Sequence, residues 1–427
     1  MEEELYREKA VLVTVTAKSS NNTADLDELA SLAETAGAEV VGRVVQHLPR
    51  PDRGTYVGSG KAQELVSLVD ELAADLLIIS ESLSPTQLNN LTKILPCRVL
   101  DRTQLILDIF AQRAFSREGR LQVELAQLTY LLPRLAGSTR QLSRLGGGIG
   151  TRGPGETKLE TDRRILRRRI AGLHEEIDEL RKQRKVQRQG RKRDALPQAA
   201  LIGYTNAGKS TLMNRLTGSD LPAEDKLFAT LDTTTRRLEL PDGRYALLAD
   251  TVGFIRNLPT HLVAAFRATL EELQEADLLL HVVDISHEEY TQQMAAVQTV
   301  LTDLNNDRPL LMVFNKRDLP HAVSIDSLLN EYQGSVAISS IEGQGIDILL
   351  SRMQELLYPE QRRFTVFIPF SESAVLQPIY AGARILKRVD GETGAILELE
   401  TDLRLAGMLQ RFLYEDEEKQ WNTDTEL

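Results

Sequence analysis

Apolar positions in the first hundred residues follow two alternating rhythms. VLVTVT (11–16), EVVGRVV (39–45), DLLIIS (75–80) and CRVL (97–100) are short β-branched runs that read as strands. Residues 23–36, closed by Gly37, and residues 60–74 carry apolar positions three and four apart and read as helices. Ser84-Pro85-Thr86-Gln87 opens another: Ser84 caps, Pro85 suits the first helical position and Gln87 completes a capping box. Repeated βα units predict a parallel sheet covered by helices, an N-terminal α/β domain over residues 1–112.

The rhythm then changes. Leu121, Leu125, Leu128, Leu132 and Leu135 are spaced 4, 3, 4, 3, and Leu166, Ile170, Leu173, Ile177 and Leu180 repeat that spacing. Both are a/d seams of about two heptads, and two seams flanking one loop predict an antiparallel hairpin arm over residues 113–196. The loop, Ala136 to Lys158, holds GGGIG and TRGPGETK and is expected to be non-helical. Structureless loops of about 20 residues are uncommon, and are usually functional or disordered. QRQGRKRDALP (187–197) reads as a boundary. A second alternating α/β unit spans 197–360. Residues 361–427 read as strand, helix, strand, strand, helix: a small α+β domain with the acidic end YEDEEKQWNTDTEL.

Charge singles out the arm. The chain carries a net charge of −11, yet residues 134–193 hold 18 Lys+Arg against 7 Asp+Glu, a local excess of +11 that leaves −22 for the rest. Such a reversal marks either a surface for nucleic acid or an anionic membrane, or a solvated helix face. The loop contributes Arg140, Arg144, Arg152 and Lys158, a basic glycine-rich tip suited to phosphates or splayed bases. No run of about 18 apolar residues occurs, so a membrane-spanning helix is not expected. The start MEEELYREKA is unlike a signal peptide, and a cytoplasmic protein is expected. The single cysteine, Cys97, excludes an intrachain disulfide or a cysteine-clustered zinc site.

Three motifs carry chemistry. Gly203-Tyr204-Thr205-Asn206-Ala207-Gly208-Lys209-Ser210 fits G-x-x-x-x-G-K-[ST], follows the buried run AALI and opens a helix. Its amides point at phosphate, with Thr211 next in the helix; Lys209 should reach the β- and γ-phosphates and Ser210 should ligate Mg²⁺. Asp250-Thr251-Val252-Gly253 follows the strand YALLA, 41 residues after Lys209. Asp250 can hold Mg²⁺ through water, and Gly253 lets its amide approach the γ-phosphate. Asn315-Lys316-Arg317-Asp318 follows LLMVF and decides the base. The Asp318 carboxylate can accept from the ring N–H and exocyclic amine of guanine, while adenine would leave it buried and unpaired. Asn315 can bond the other edge of the base or brace the phosphate loop. In this order and spacing the three motifs specify a Mg²⁺-dependent P-loop GTPase, with GTP as substrate and GDP as product.

Two weaker elements surround them. Phe228-Ala229-Thr230-Leu231-Asp232, followed by Thr233, Thr234 and Thr235, occupies the first switch region, where one threonine should complete the Mg²⁺ shell. Ser339-Ser340-Ile341 follows the strand VAI and could contact guanine. Many GTPases place a glutamine after D-x-x-G to orient the attacking water. Phe254 stands there instead, so slow intrinsic hydrolysis completed by a partner is expected. Gly58-Ser59-Gly60-Lys61 lacks the P-loop spacing and reads as a tight turn.

The chain resembles the HflX family of ribosome-associated GTPases over nearly its whole length. The likeness rests on YVGSGKAQEL (56–65), LDIFAQRA (107–114), LQVELAQL (121–128), GGGIGTRGPGETKLETDRR (146–164), GYTNAGKSTL (203–212), FATLD (228–232) and DTVGFIRNLP (250–259). Many members carry proline after FATLD, where this chain has Thr233. The resemblance implies that Thr230 is the switch threonine, so the metal ligands are Ser210 and Thr230 and the catalytic set is Lys209, Asp250, Gly253 and Thr230. It also implies binding to the large ribosomal subunit and its rRNA, with the tip entering the peptidyl transferase region, and the splitting of stalled ribosomes after stress. The expected fold is α/β: an N-terminal parallel α/β domain, a helical hairpin arm, a P-loop G domain with a mostly parallel sheet, and a small C-terminal α+β domain. A monomer with no DNA or integral-membrane partner is expected. The alternative is a regulatory GTPase whose arm binds a protein and has no RNA role.

Overall fold

The computed structural model describes residues 6–17, 24–138, 154–191, 196–219, 227–256, 273–304, 306–321, 323–358, 362–391, 393–401 and 403–414. By its internal contacts the chain divides into two compact units. One is Met1–Glu239 with Tyr245–Ile346; the other is Leu240–Arg244 with Asp347–Leu427.

The first unit contains two parallel sheets. Strands β1 (Lys9–Thr16), β2 (Glu39–His47), β3 (Leu76–Ile79) and β4 (Arg98–Asp101) pair in the order β2-β1-β3-β4, all parallel. The central strands β1 and β3 are buried on both faces, as a sheet covered by helices requires, whereas the edge strand β2 is partly exposed. The helices are α1 (Ala24–Thr35), α2 (Ser59–Glu71), α3 (Pro85–Ile94) and α4 (Arg102–Arg113). At α3 the capping box forms as expected: Gln87 N donates to Ser84 Oγ at 3.2 Å, and Ser84 N donates to Gln87 Oε1 at 2.9 Å.

The arm consists of α5 (Arg117–Ser138) and α6 (Pro154–Arg191). Leu121, Leu173 and Ile177 form its buried seam, with Leu125, Leu128 and Leu180 packed against it. Arg169 bonds Glu124 at 2.7 Å, which fixes the antiparallel register. Two expectations are corrected here. The non-helical stretch does not run from Ala136 to Lys158, because α5 continues to Ser138 and α6 begins at Pro154. Proline at a first helical position lacks only an N–H that has no intrahelical partner anyway, so GPGETK starts a helix instead of breaking one. The helix also runs through part of the expected boundary segment, to Arg191. The tip carrying Arg140, Arg144 and Arg152 lies outside the described residues.

The second sheet has six strands in the order β10-β9-β8-β5-β7-β6. These are β5 (Gln198–Gly203), β6 (Thr234–Glu239), β7 (Tyr245–Asp250), β8 (Leu278–Asp284), β9 (Leu310–Asn315) and β10 (Val336–Ala337). Only β6 runs antiparallel, as a hairpin with β7. Strand β5 lies between β7 and β8, so the chain leaves it on one side and returns on the other. In open α/β sheets such a switch point, at the carboxyl ends of the strands, is where ligands bind. One continuous apolar core joins α1, α4 and α5 to this sheet through Leu29, Phe110, Tyr204, Phe228 and Phe254.

The second unit holds an antiparallel sheet in the order β11-β13-β12, with β11 (Arg362–Pro369), β12 (Arg384–Asp390) and β13 (Gly394–Thr401). Val366, Leu397, Leu399 and Ile379 form its core. The acidic end, 415–427, lies outside the described residues.

Candidate functional site

The site is built where β5 ends. The strand is buried along its length and stops at Gly203. Helix α7 (Lys209–Thr217) starts six residues later behind Gly208, which has φ 90 and provides no side-chain cap. The first N–H groups of α7 are therefore left to a ligand. Gly208 must be glycine twice over: its φ is left-handed, and a Cβ there would collide with Nδ2 of Asn315.

A cleft opens in front of this turn. Thr205, Asn206, Gly208, Lys209, Ser210 and Thr211 line one side; Phe228, Ala229, Thr230, Thr251 and Gly253 line the other. Lys209 is buried, and its Nζ donates to the carbonyls of Tyr204 at 2.8 Å and Gly203 at 3.2 Å. Burial lowers its pKa to about 8, and the nearby Asp250 carboxylate opposes that shift. A Cβ on Gly253 would lie 2.8 Å from Thr205 Cα and 3.0 Å from Lys209 Nζ, so the bare backbone here is what fits against the phosphate loop.

Three oxygens converge at one end of the cleft. Ser210 Oγ and Thr230 Oγ1 donate to Asp250 Oδ2 at 2.7 and 2.9 Å, and the two hydroxyls are 2.8 Å apart. Asp250 is fully buried, its other oxygen has no hydrogen-bond partner, and burial raises its pKa against the pull of Lys209. A desolvated carboxylate with an orphan oxygen, flanked by two hydroxyls, is a hard oxygen donor set. It fits Mg²⁺, which takes one or two carboxylates and completes its shell with water and phosphate. Among the described residues no group of three or more His, Cys, Asp or Glu is placed to hold a metal ion.

The third motif braces this cleft. Asn315 is buried; its Nδ2 donates to Ala207 O at 2.8 Å, and its Oδ1 accepts from Ser340 N at 3.1 Å and Ser340 Oγ at 2.8 Å. Of the two roles open to Asn315 from sequence, the geometry gives the brace. Lys316 turns the chain with φ 63, and its Nζ pairs with Asp284 at 2.6 Å. Asp318 follows, half-buried. Arg317 bonds the carbonyls of Ile338 and Ala337. Ser339 is buried and binds Glu342 N, whereas Ile341 is 72% exposed.

Not every expected residue faces the cleft. Thr251 lines the cleft but turns its hydroxyl to Leu201 O at 2.6 Å, Val252 is buried in the core, and Leu231 packs against that core. Asp232 turns to the start of α5 instead. Tyr204 sends its hydroxyl out of the phosphate loop to Glu28 of α1, at 2.6 Å, and accepts from Arg256 N at 2.8 Å. Arg102 pairs with the same Glu28 at 3.2 Å, and Arg256 pairs with Glu289 at 2.6 Å. Sequence reasoning missed this network. It also missed Asp284, although Asp284 ends the buried run LLLHVVD just as Asp250 ends YALLAD. Phe254 is not an open position beside the cleft: its ring is buried, and its backbone pairs with Gly203 O at 3.0 Å and Thr205 N at 2.8 Å. The Gly58 turn that opens α2 has φ 83 and no side-chain cap, and Lys61 pairs with Glu64.

Residues 23–111 match the family described as GTP-binding GTPase N-terminal, 113–191 the GTP-binding GTPase Middle Region, 198–316 the 50S ribosome-binding GTPase and 325–421 the HflX C-terminal domain. GTPase HflX of Caldanaerobacter subterraneus subsp. tengcongensis is 46% identical over 414 residues, covering 96% of this chain and 95% of that protein. GTPase HflX of Escherichia coli is 43% identical over 392 residues, covering 91% of this chain and 92% of its own. Among solved structures, that of SsGBP in complex with GDP matches with a TM-score of 0.50 at 26% identity, covering 82% of this chain and 98% of that one.

Proposed function

The chain belongs to the HflX family of GTPases, and from that premise we propose that it is a Mg²⁺-dependent GTPase that binds the large ribosomal subunit and dissociates or rescues stalled ribosomes. GTP hydrolysis follows from the family and from the P-loop fold. The observation that carries the ribosomal reading is the match of the G segment to the 50S ribosome-binding GTPases. The arm supports it: α6 presents Arg164, Arg167 and Arg168 as exposed guanidiniums beyond the apolar seam. Basic side chains beside a glycine-rich tip suit looped or single-stranded RNA, whose bases and backbone admit close approach. The arrangement expected from sequence, with residues 1–112, 113–196, 197–360 and 361–427 as four parts, is the working division of labour for this reading.

In the G domain, Gly203–Thr211 cradle the phosphates and Lys209 neutralises the charge that develops on them. Ser210 and Thr230 would hold Mg²⁺, with Asp250 behind them. When bound, the ion screens phosphate oxygens and stabilises charge in the transition state. Gly253 leaves room for an N–H at the γ-phosphate, and Asp318 selects guanine. With the Phe254 ring buried, no side chain at that position orients the attacking water. Fast turnover therefore depends on a group supplied by the partner.

GTP turnover by the purified protein, alone and with large subunits, tests this. The expected result is a low basal rate raised on the order of 10³–10⁵-fold, as for GTPases completed in trans. The stimulation should weaken steeply with salt, and should be lost when Arg140, Arg144 and Arg152 are neutralised. A fast basal rate that subunits do not change would overturn it in favour of an arm that binds a protein.

A further inference from the structure

Thr230 reaches Ser210 and Asp250 from a segment, 227–233, with no regular secondary structure. Its position must be fixed from outside. Two residues before it, Phe228 is buried with φ 55, and its ring stands edge-on to Phe110 of α4 with centroids 4.8 Å apart. Two residues after it, the Asp232 carboxylate accepts from the backbone N–H of Phe115 at 2.8 Å and of Ser116 at 2.7 Å, and also from the Ser116 hydroxyl. Ser116 Oγ in turn accepts from Gly119 N at 2.9 Å, and Ser116 O accepts from Arg120 N at 3.1 Å, so Ser116 caps α5. A carboxylate at this helix end meets oriented donors and the positive end of the dipole. Neither Phe110 nor Ser116 lines the nucleotide cleft.

We propose that Asp232 is a positioning residue for GTP hydrolysis: by seating on the first turn of α5 it holds Thr230 at Ser210 and Asp250, and makes the seating of the arm a condition of turnover. The inference rests on the assignment of Thr230 to the nucleotide site, and does not depend on what the arm touches. Losing the seat frees the switch segment at one of its two anchors. GTP, whose γ-phosphate orders that segment, feels the loss; GDP does not.

Gly119 supplies a sharp test. A Cβ there would collide with Asp232 Oδ1 and also approach Ser116 Oγ at 3.0 Å. Alanine is a better helix former than glycine, so Gly119→Ala pushes the carboxylate off its seat while offsetting part of the stability lost with it. Steady-state hydrolysis, GDP affinity and thermal melting are measured for Gly119→Ala, Asp232→Ala, Asp232→Asn and, as a control, Thr230→Ala. Gly119→Ala and Asp232→Ala are expected to lower kcat about tenfold or more with GDP affinity held within about twofold. Asp232→Asn, which keeps one acceptor oxygen, should fall between. Wild-type kcat in Gly119→Ala, or GDP affinity falling in step with kcat in Asp232→Ala, would overturn the proposal. If Thr230→Ala itself keeps wild-type kcat, the assignment beneath the proposal fails with it. If Thr230→Ala is slow and the other variants are not, only the positioning role fails.

Discussion

The side-chain amide of Asn315 donates to the carbonyl of Ala207 at 2.8 Å, tying the end of β9 to the middle of the phosphate loop. Its oxygen meanwhile holds Ser340. All three residues are buried. Asn315→Ala would leave a carbonyl and an N–H unsatisfied, at a cost of about 1–3 kcal/mol each. GTP and GDP affinity should fall together, on the order of 10–100-fold, because the loop itself is loosened. Equilibrium titration with a fluorescent guanine nucleotide checks this; unchanged affinity for both would show that the brace is dispensable.

Asp318 sits on a turn pinned by Lys316, whose Nζ pairs with Asp284 at 2.6 Å. On the proposed assignment, the Asp318 carboxylate accepts from N1–H and the 2-amine of guanine. An asparagine there can donate to a base bearing oxygen at position 2. Asp318→Asn should therefore exchange a preference for GDP for one for xanthosine diphosphate, by on the order of 10²–10³. Competition binding of the two nucleotides decides it, and a variant that still favours GDP would place base selection elsewhere.

Ser210, Thr230 and Asp250 meet within hydrogen-bonding distance, yet they belong to three separate segments of chain. Each should fail differently. Thr230→Ala should lose on the order of 10²-fold in kcat while keeping GDP, as the proposed role of its segment at the γ-phosphate requires. Ser210→Ala should weaken GDP as well. Chelation of Mg²⁺ should stop wild-type turnover, and added Mg²⁺ should restore it. Turnover that persists in chelator would refute the metal assignment.

The parts of the site that sequence revealed are those written locally. The phosphate loop, Asp250 and Asn315 each end a buried strand, and each is followed by residues at fixed offsets, so period and spacing suffice to find them. What sequence hid joins distant positions. Tyr204 and Glu28 are 176 residues apart, and Ser116 and Asp232 are 116 apart. No local pattern encodes such a pair; only the packing of α1, α4 and α5 against the six-stranded sheet brings them together. Phe254 illustrates a second limit. Its apolar character was visible, but whether the ring lay beside the cleft or in the core depended on the pairing of its backbone with Gly203 and Thr205. Pro154 was misread because proline ends a helix in most places and begins one at its first turn.

His281 lies in the middle of β8, between Ile202 and Met312, and is 2% exposed. Its Nδ1 has no hydrogen-bond partner, and burial, helped by the charge of Lys209, lowers its pKa from 6.5 to about 4. The sign of the effect follows. As pH falls below 6.5 the unfolded chain takes up this proton and the native protein does not, until about pH 4. The unfolded state then binds more protons, so stability rises with pH across that window and gains nothing from His281 above it. At about pH 5 the loss is roughly 2 kcal/mol. His281→Leu removes both the titration and the orphan nitrogen. Denaturant melts at about pH 5 and pH 8 should therefore show a smaller difference in the variant than in the wild type, by roughly that amount. Equal differences in the two proteins would mean that other groups carry the acid sensitivity and that His281 is protonated in both states at about pH 5.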